Sequence, residues 1–291
     1  MERGFEADGQ PGRLLVFGLG YTGAAIAQAA RAAGFRVVGT SRGGAPGAVP
    51  FEAAAAAIQD ATHVLTTAAP DAAGDPVLAR YEAVIEGAAG VRWVGYLSST
   101  VVYGDRGGGW VAEDTKVAPS QPRGQVRVAA EAAWGRFGDQ CAVDVFRLGG
   151  IYGPGRSAFE ELRAGRARRI DKPGHCFGRI HRDDIAQAVV AAMRQDRAAG
   201  VRVLNLVDDE PAESAAVMAE AASLLGVEAP KLVGFAEAWA AMGPMARSFW
   251  AENRRVASAA TKAALGIDWR YPTYREGLRG ILAEERDEGL A

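Results

Sequence analysis

Arg13-Leu14-Leu15-Val16-Phe17-Gly18-Leu19-Gly20-Tyr21-Thr22-Gly23 runs from an apolar stretch into a glycine turn and then into an alanine-rich segment. A short apolar run stopped by glycine is what a strand buried on both faces of a parallel sheet requires. The period then changes. Thr22 to Ala33 carries Ile26 on an apolar face, Gly34 is placed to end the helix, and Phe35-Arg36-Val37-Val38-Gly39-Thr40 resumes as strand. The three pieces make a βαβ unit, and the glycines stand at its strand-to-helix turn.

In that setting G-x-G-x-x-G is specific, since the spacing alone is weak and the flanking strand and helix give it meaning. Gly18 permits the tight turn, Gly20 lets a pyrophosphate approach the backbone, and Gly23 allows close helix–strand packing. The helix start at Tyr21 and Thr22 offers unpaired N–H groups and a positive dipole end to phosphates. A nicotinamide dinucleotide is therefore expected here. Sites that prefer NAD(H) usually end the second strand with Asp or Glu, which bonds the ribose 2′-OH. This strand ends Thr40-Ser41-Arg42, and a guanidinium beside a hydroxyl suits a 2′-phosphate, so NADP(H) is preferred over NAD(H).

Outward from this unit, Thr62 to Thr66, Val91 to Leu97, Ala142 to Leu148 and Val201 to Leu206 read as further strands. Pro76 to Ala89, Val126 to Phe137 and Asp184 to Arg194 read as the helices between them. Alternating strands and helices imply an α/β Rossmann fold with a doubly wound parallel sheet. The stretch from Gly43 to Gln59, short and rich in Gly, Pro and Ala, predicts a trimmed sheet on that side. After Gly149 the pattern is less regular, with terminal helices around Ala212 to Leu225 and Ala257 to Leu265. The expected organisation is a loose leader over 1–12, a dinucleotide-binding domain over 13–150, and the last sheet elements with a small C-terminal substrate lid over 151–291.

The chain has 291 residues, 49% of them hydrophobic, enough for a large core. Lys and Arg total 33 against 35 Asp and Glu, so no global field favours nucleic acid or an anionic membrane. No apolar stretch approaches the length of about 20 residues that a spanning helix needs. Cys141 and Cys176 have neither disulfide-framework nor metal-ligand spacing, so no metal is expected and a reducing cytoplasm fits.

Several ordered motifs resemble the extended short-chain dehydrogenase/reductases, the NAD-dependent epimerase/dehydratase group. Val64-Leu65-Thr66-Thr67-Ala68-Ala69 resembles the strand whose end lies under the dinucleotide, which implies that Thr67, Ala68 and Ala69 contact it. Leu97-Ser98-Ser99-Thr100-Val101-Val102-Tyr103-Gly104 resembles the active-site strand, and Phe146-Arg147-Leu148-Gly149-Gly150-Ile151-Tyr152-Gly153-Pro154-Gly155 the strand into the lid. Arg179-Ile180-His181-Arg182-Asp183-Asp184 resembles the segment that docks the lid. The family's glycine motif is more often wider, so the tight turn marks an atypical branch. UDP-glucose dehydrogenases have a similar start, but the chain lacks their length and their catalytic thiol in a glycine-rich context.

In the resembled family a Ser or Thr binds the reacting oxygen, a Tyr moves its proton, and a Lys four residues later holds the nicotinamide ribose. Ser99 fills the first position. Arg123 stands where the tyrosine is expected and Arg127 where the lysine is expected. Arginine has no acceptor and no accessible neutral form near pH 7, so it cannot act as general base. Arg127 can still hold ribose hydroxyls or a phosphate. Tyr103 is then a candidate proton carrier. Arg123, Tyr152 and Arg179 are candidate substrate contacts, and the arginines around the lid suit either an anionic ligand or a solvated face. Asp105-Arg106-Gly107-Gly108-Gly109 reads as a gate or as a simple turn. His63 is expected in the core, and His181 as a structural residue.

The expected function is thus an NADP(H)-binding oxidoreductase or epimerase-like protein acting on a polar, phosphorylated or nucleotide-linked small molecule. The alternative is an NADP(H)-binding sensor or regulatory protein without turnover. A homodimer through the helices at Pro76 to Ala89 and Val126 to Phe137 is a further expectation; no nucleic-acid or membrane partner is implied.

Overall fold

The computed structural model describes residues 12–41, 43, 47–287 and 289. Leader residues 1–11 and Arg42 lie outside the described residues. Seven strands form one sheet: β1 (Arg13–Phe17), β2 (Arg36–Ser41), β3 (Val49–Pro50), β4 (His63–Thr66), β5 (Trp93–Ser99), β6 (Ala142–Leu148) and β7 (Gly200–Leu206). Their spatial order is β7-β6-β5-β4-β1-β2-β3, with every pairing parallel. The order in which strands are added to the sheet reverses between β1 and β4, which opens the crevice where open α/β sheets bind ligands. The brevity of β3 fits the trimmed sheet expected from Gly43 to Gln59.

Strand β1 sorts its side chains by alternation. Leu14 and Val16 join Ile26 of α1 (Tyr21–Ala32) and Ile185 and Val189 of α6 (Arg182–Met193) on one face of the sheet. Leu15 and Phe17 join the other layer, made by α2 (Ala55–Asp60), α3 (Leu78–Glu86) and α4 (Pro122–Gly135) through Ile58, Tyr81, Ile85 and Trp134. Burial on both faces explains why the strand reads as a continuous apolar run.

Helix α4 begins four residues before Val126. Pro122 takes its first turn, where a missing N–H costs nothing because that donor would be unpaired anyway. This start places Arg123 and Arg127 one turn apart on a common face.

Asp144 in β6 is fully buried. It accepts from Trp93 Nε1 of β5 at 2.8 Å and from Arg202 Nε of β7 at 2.8 Å, with Arg197 at 3.4 Å. A carboxylate in the interior is tolerated only when so paired, and here the pairing ties three neighbouring strands together.

The C-terminal segments pack at the carboxyl edge of the sheet. One cluster gathers Phe159 of α5 (Ala158–Arg163), Ala221 of α7 (Ser214–Leu225) and Leu278 and Ile281 of α11 (Tyr274–Asp287). A second holds Ile170 and Met242 against α8 (Phe235–Ala240) and α9 (Pro244–Trp250). Helix α10 (Ala259–Leu265) returns to the main core through Leu265. Short pairings stitch these parts together, among them Gly150–Tyr152 alongside Arg179–His181. Among the described residues no helix is long and apolar enough to cross a membrane.

Trp134 has no exposed surface and donates from Nε1 to Asp75 Oδ2 at 2.9 Å. Trp134→Ala is expected to cost about 3–5 kcal/mol through the cavity left behind, with more lost where Asp75 is left unpaired. Urea unfolding measures it; a loss below about 1 kcal/mol would contradict this packing.

Candidate functional site

The glycine turn lies at the carboxyl end of β1, beside the point where strand order reverses. Gly18 has φ of 99°, a backbone region that side chains rarely adopt. Its carbonyl accepts from Thr67 Oγ1 at 2.8 Å, and Thr67 N donates to Phe17 O at 2.9 Å. A Cβ at Gly23 would overlap the Gly18 carbonyl oxygen, so that glycine is needed by the fold itself. Gly20 is different. A Cβ there would meet nothing within 4 Å, so no protein contact requires its small size. The vacant space lies at the start of α1, whose N-terminus has no side-chain cap and no acidic residue in its first turn. Unpaired amides facing open space are what a pyrophosphate requires.

Around the turn, Leu19 N donates to Thr40 O at 3.1 Å, which joins it to β2. Thr22 is buried. Ser41 Oγ accepts from Gly43 N at 3.1 Å. Ala68 N donates to Thr66 Oγ1 at 3.3 Å and Ala69 is exposed, so the β4 end presents backbone and methyl groups to the crevice. Tyr21 does more than open the helix. Its hydroxyl donates to Pro154 O at 3.0 Å, and Arg156 and Arg182 lie 5.6 and 5.1 Å from its ring centroid. Sequence reading missed Arg156 and did not place Arg182 at the turn. Their positions depend on a contact across more than 130 residues, for which no local pattern exists.

At the end of β5, Ser99 is half-buried, and its Oγ accepts from Val101 N at 3.3 Å. Next to it, Ser98 Oγ donates to Glu131 Oε1 at 2.5 Å, and Glu131 pairs with Arg147 at 2.7 Å. Arg147 also lies 4.8 Å from the Tyr103 ring centroid. Tyr103, a candidate proton carrier on sequence grounds, is corrected by its surroundings. It has no exposed surface, its hydroxyl donates to Asn205 Oδ1 at 2.7 Å, and burial raises its pKa. A phenol so enclosed cannot touch a substrate.

Arg123 and Arg127 are both fastened to the protein. Arg127 Nη1 donates to Leu97 O at 2.9 Å, which turns it toward the β5 backbone and not outward to a ribose. Arg123 Nη2 donates to Ser248 O at 3.2 Å, and its guanidinium stacks 4.2 Å from the Phe249 ring centroid. Helix α9 is thereby held above the start of α4. Glu252, buried just beyond, accepts from Ser120 Oγ at 2.6 Å and from Arg254 at 2.9 Å. Nothing in the spacing of Ser120, Glu252 and Arg254 signals this cluster. The Asp105–Gly109 stretch is similarly tied, with Arg106 N and Gly108 N donating to Asn253 O at 2.9 and 3.0 Å.

Tyr152 and Arg179 lie on the side facing α7 and α11. Tyr152 is buried with its ring edge-on to His181, and Arg179 Nη1 donates to the carbonyls of Phe177 and Ala212 at 2.9 and 3.0 Å. They line a chamber separate from the glycine turn, so the structure does not bring them together with Ser99 and Arg123. His181 caps α6 by accepting from Asp183 N at 3.2 Å, and burial lowers its pKa to about 4. His63 is buried in β4, its pKa lowered to about 3 by burial. Of the lid arginines, Arg163 forms a bidentate pair with Glu285 at 2.9 and 2.6 Å, and Arg166 meets Glu161 at 3.2 Å. Their charge is largely answered within the protein.

No protein-family model and no curated protein matches the chain. Among solved structures, a functionally unknown conserved protein from Silicibacter pomeroyi is 43% identical, with 94% of this chain and 99% of that chain covered and a TM-score of 0.85. The chain belongs to the same family as that protein. More distant neighbours are epimerase/dehydratase and short-chain dehydrogenase proteins. The human epimerase family protein SDR39U1, solved with NADPH, is 22% identical over 93% of this chain and 99% of that one, with a TM-score of 0.78. MoeE5, solved with UDP-glucuronic acid and NAD, is 21% identical over 95% and 100%, with a TM-score of 0.73. At those identities the likeness is one of fold, and it matches the Rossmann sheet described above.

The second and third glycines of the turn differ in what the fold demands of them, since only Gly23 is held small by a protein contact. Gly20→Ala is expected to leave the melting temperature within about 2 °C of the parent and to weaken NADPH binding at least tenfold. Gly23→Ala should lower both. Thermal melts with calorimetric titration decide, and unchanged NADPH affinity in Gly20→Ala would overturn the assignment.

Proposed function

We propose that the chain binds NADP(H) across the crevice between β1 and β4 and works as an oxidoreductase or epimerase-like protein of the atypical extended short-chain type. Its substrate is a polar small molecule of the phosphorylated or nucleotide-linked kind. The observation that carries the proposal is the glycine turn: Gly18 and Gly23 are required by local contacts, whereas Gly20 borders free space at an uncapped helix start. When bound, the dinucleotide supplies or accepts the hydride. The amides of Tyr21 and Thr22 hold its pyrophosphate, with Arg156 and Arg182 near enough to add charge. The β4 end at Thr67 to Ala69 lies beneath it. Ser41 and Arg42 receive the 2′-phosphate, and Ser99 orients the reacting oxygen. The NADPH in the human neighbour and the UDP-sugar and NAD in MoeE5 agree with this class of ligand.

A second reading rests on particular geometry. Arg123 and Arg127 are bonded to backbone carbonyls and Tyr103 is enclosed, so the chain offers no phenol for proton transfer at the position the resemblance implies. A sensor or regulatory protein that binds NADP(H) without turnover would keep the turn and dispense with the tyrosine. Two copies meet through α3 and α4 under either reading, which sedimentation tests.

Calorimetric titration should show NADPH bound at least tenfold more tightly than NADH, with Arg42→Ala removing most of the difference. Equal affinities, or an NADH preference, would refute the cofactor assignment. Hydride exchange across carbonyl and sugar-nucleotide compounds then separates the readings: exchange that Ser99→Ala reduces supports the enzyme, and tight binding with no exchange supports the sensor.

A further inference from the structure

A partly open chamber of about 190 Å³ lies in the C-terminal half, lined by residues of α5, α7, α11 and the paired strands Gly150–Tyr152 and Arg179–His181. Its wall divides by chemistry. Val217, Met218 and Leu278 supply an aliphatic surface, while Arg179, Ser214 and Tyr274 bring polar atoms.

One of these polar groups has no partner in the protein. Tyr274 is 1% exposed and its hydroxyl has no hydrogen-bond partner, a state that costs about 1–3 kcal/mol for a buried polar group. Arg179 spends only Nη1, on the carbonyls of Phe177 and Ala212. Among the described residues no carboxylate forms an ion pair with it. The acid that acts on it most strongly is Asp208, whose own burial pushes its carboxyl up to about 8 against the pull of Arg179. Both carboxyl oxygens of Asp208 are buried without a hydrogen-bond partner, so neither is bonded to the guanidinium. Ser214 opens α7, which has twelve residues, no side-chain cap and no acidic residue in its first turn. The positive end of its dipole therefore bears on the same space.

We propose that this chamber binds a short-chain aliphatic carboxylate, its head held by Arg179, the Tyr274 hydroxyl and Ser214 and its chain lying against Val217, Met218 and Leu278. The size agrees: an apolar cavity of about 150 Å³ takes up benzene, and butanoate has a similar number of heavy atoms. Inorganic phosphate would leave the aliphatic wall unfilled, and the part of a long fatty acid beyond the first few carbons would lie outside the chamber. The site is independent of the dinucleotide reading, since no residue of the glycine turn lines it.

The test uses the full chain, titrated calorimetrically with butanoate at neutral pH and with butanamide as the uncharged control. Butanoate is expected to bind saturably and at least tenfold more tightly than butanamide. Tyr274→Phe should weaken butanoate about tenfold while leaving the melting temperature of the ligand-free protein unchanged or raised, because the variant removes an unsatisfied hydroxyl. Met218→Trp, which fills the chamber, should abolish butanoate binding and leave NADPH binding intact. Absence of saturable butanoate binding, equal affinity for butanamide, or full butanoate affinity in either variant overturns the proposal. If Met218→Trp does not fold, the butanamide and Tyr274→Phe measurements decide alone.

Discussion

The contact between Thr67 Oγ1 and the Gly18 carbonyl, 2.8 Å long, fixes the position of three elements at once. It joins the end of β4 to the end of β1, and it holds the carbonyl where any side chain at residue 23 would collide with it. Helix α1 can then start only at one place and in one direction. Its uncapped amides face the crevice because the chain passes from β1 to β2 on one side of β1 and later to β4 on the other. The rest of the sheet builds outward from this junction, and the proposed dinucleotide site is the space that the junction leaves unfilled.

A second set of contacts determines what has become of the position beside that space. Glu131 on α4 is bonded to Ser98 and Arg147, and Arg147 in turn lies against Tyr103. Breaking a buried pair of this kind by removing one partner generally costs several kcal/mol, so these side chains hold α4 against β5 and β6 and are not available for chemistry. Arg123 and Arg127, one turn apart on α4, hold α9 and the β5 backbone. The helix that the resemblance marks as catalytic is here a structural brace, and Ser99 is the member of that motif left half-exposed at the crevice.

The sheet was legible in the sequence because its strands are buried on both faces, which leaves continuous apolar runs such as Leu14 to Phe17. The glycine turn was legible because a backbone approach and a positive φ both demand glycine. The first turn of α4 was not, since Ser120-Gln121-Pro122-Arg123-Gly124 reads as loop unless Pro122 is taken as a helix start. Tyr103 also misled. A tyrosine in a site motif has the same letters whether its hydroxyl faces solvent or Asn205, and the partner that decides the matter lies about a hundred residues away. Asp144, Glu252 and Arg179 follow the same rule: charged residues inside the protein are set by distant partners, and neither periodicity nor spacing records them.

Tyr21 carries one more consequence. Its hydroxyl is bonded to Pro154 and its ring is flanked by Arg156 and Arg182, so the first helix reaches its full set of partners only after the chain beyond β6 has folded back onto it. During synthesis the glycine turn would emerge early and remain incompletely supported while most of the polypeptide is still being made. Such late closure of an early element is the kinetic burden of high contact order. It means that the nascent chain completes the crevice beside the glycine turn as one of its last structural acts, although the residues of that turn are among the first to appear.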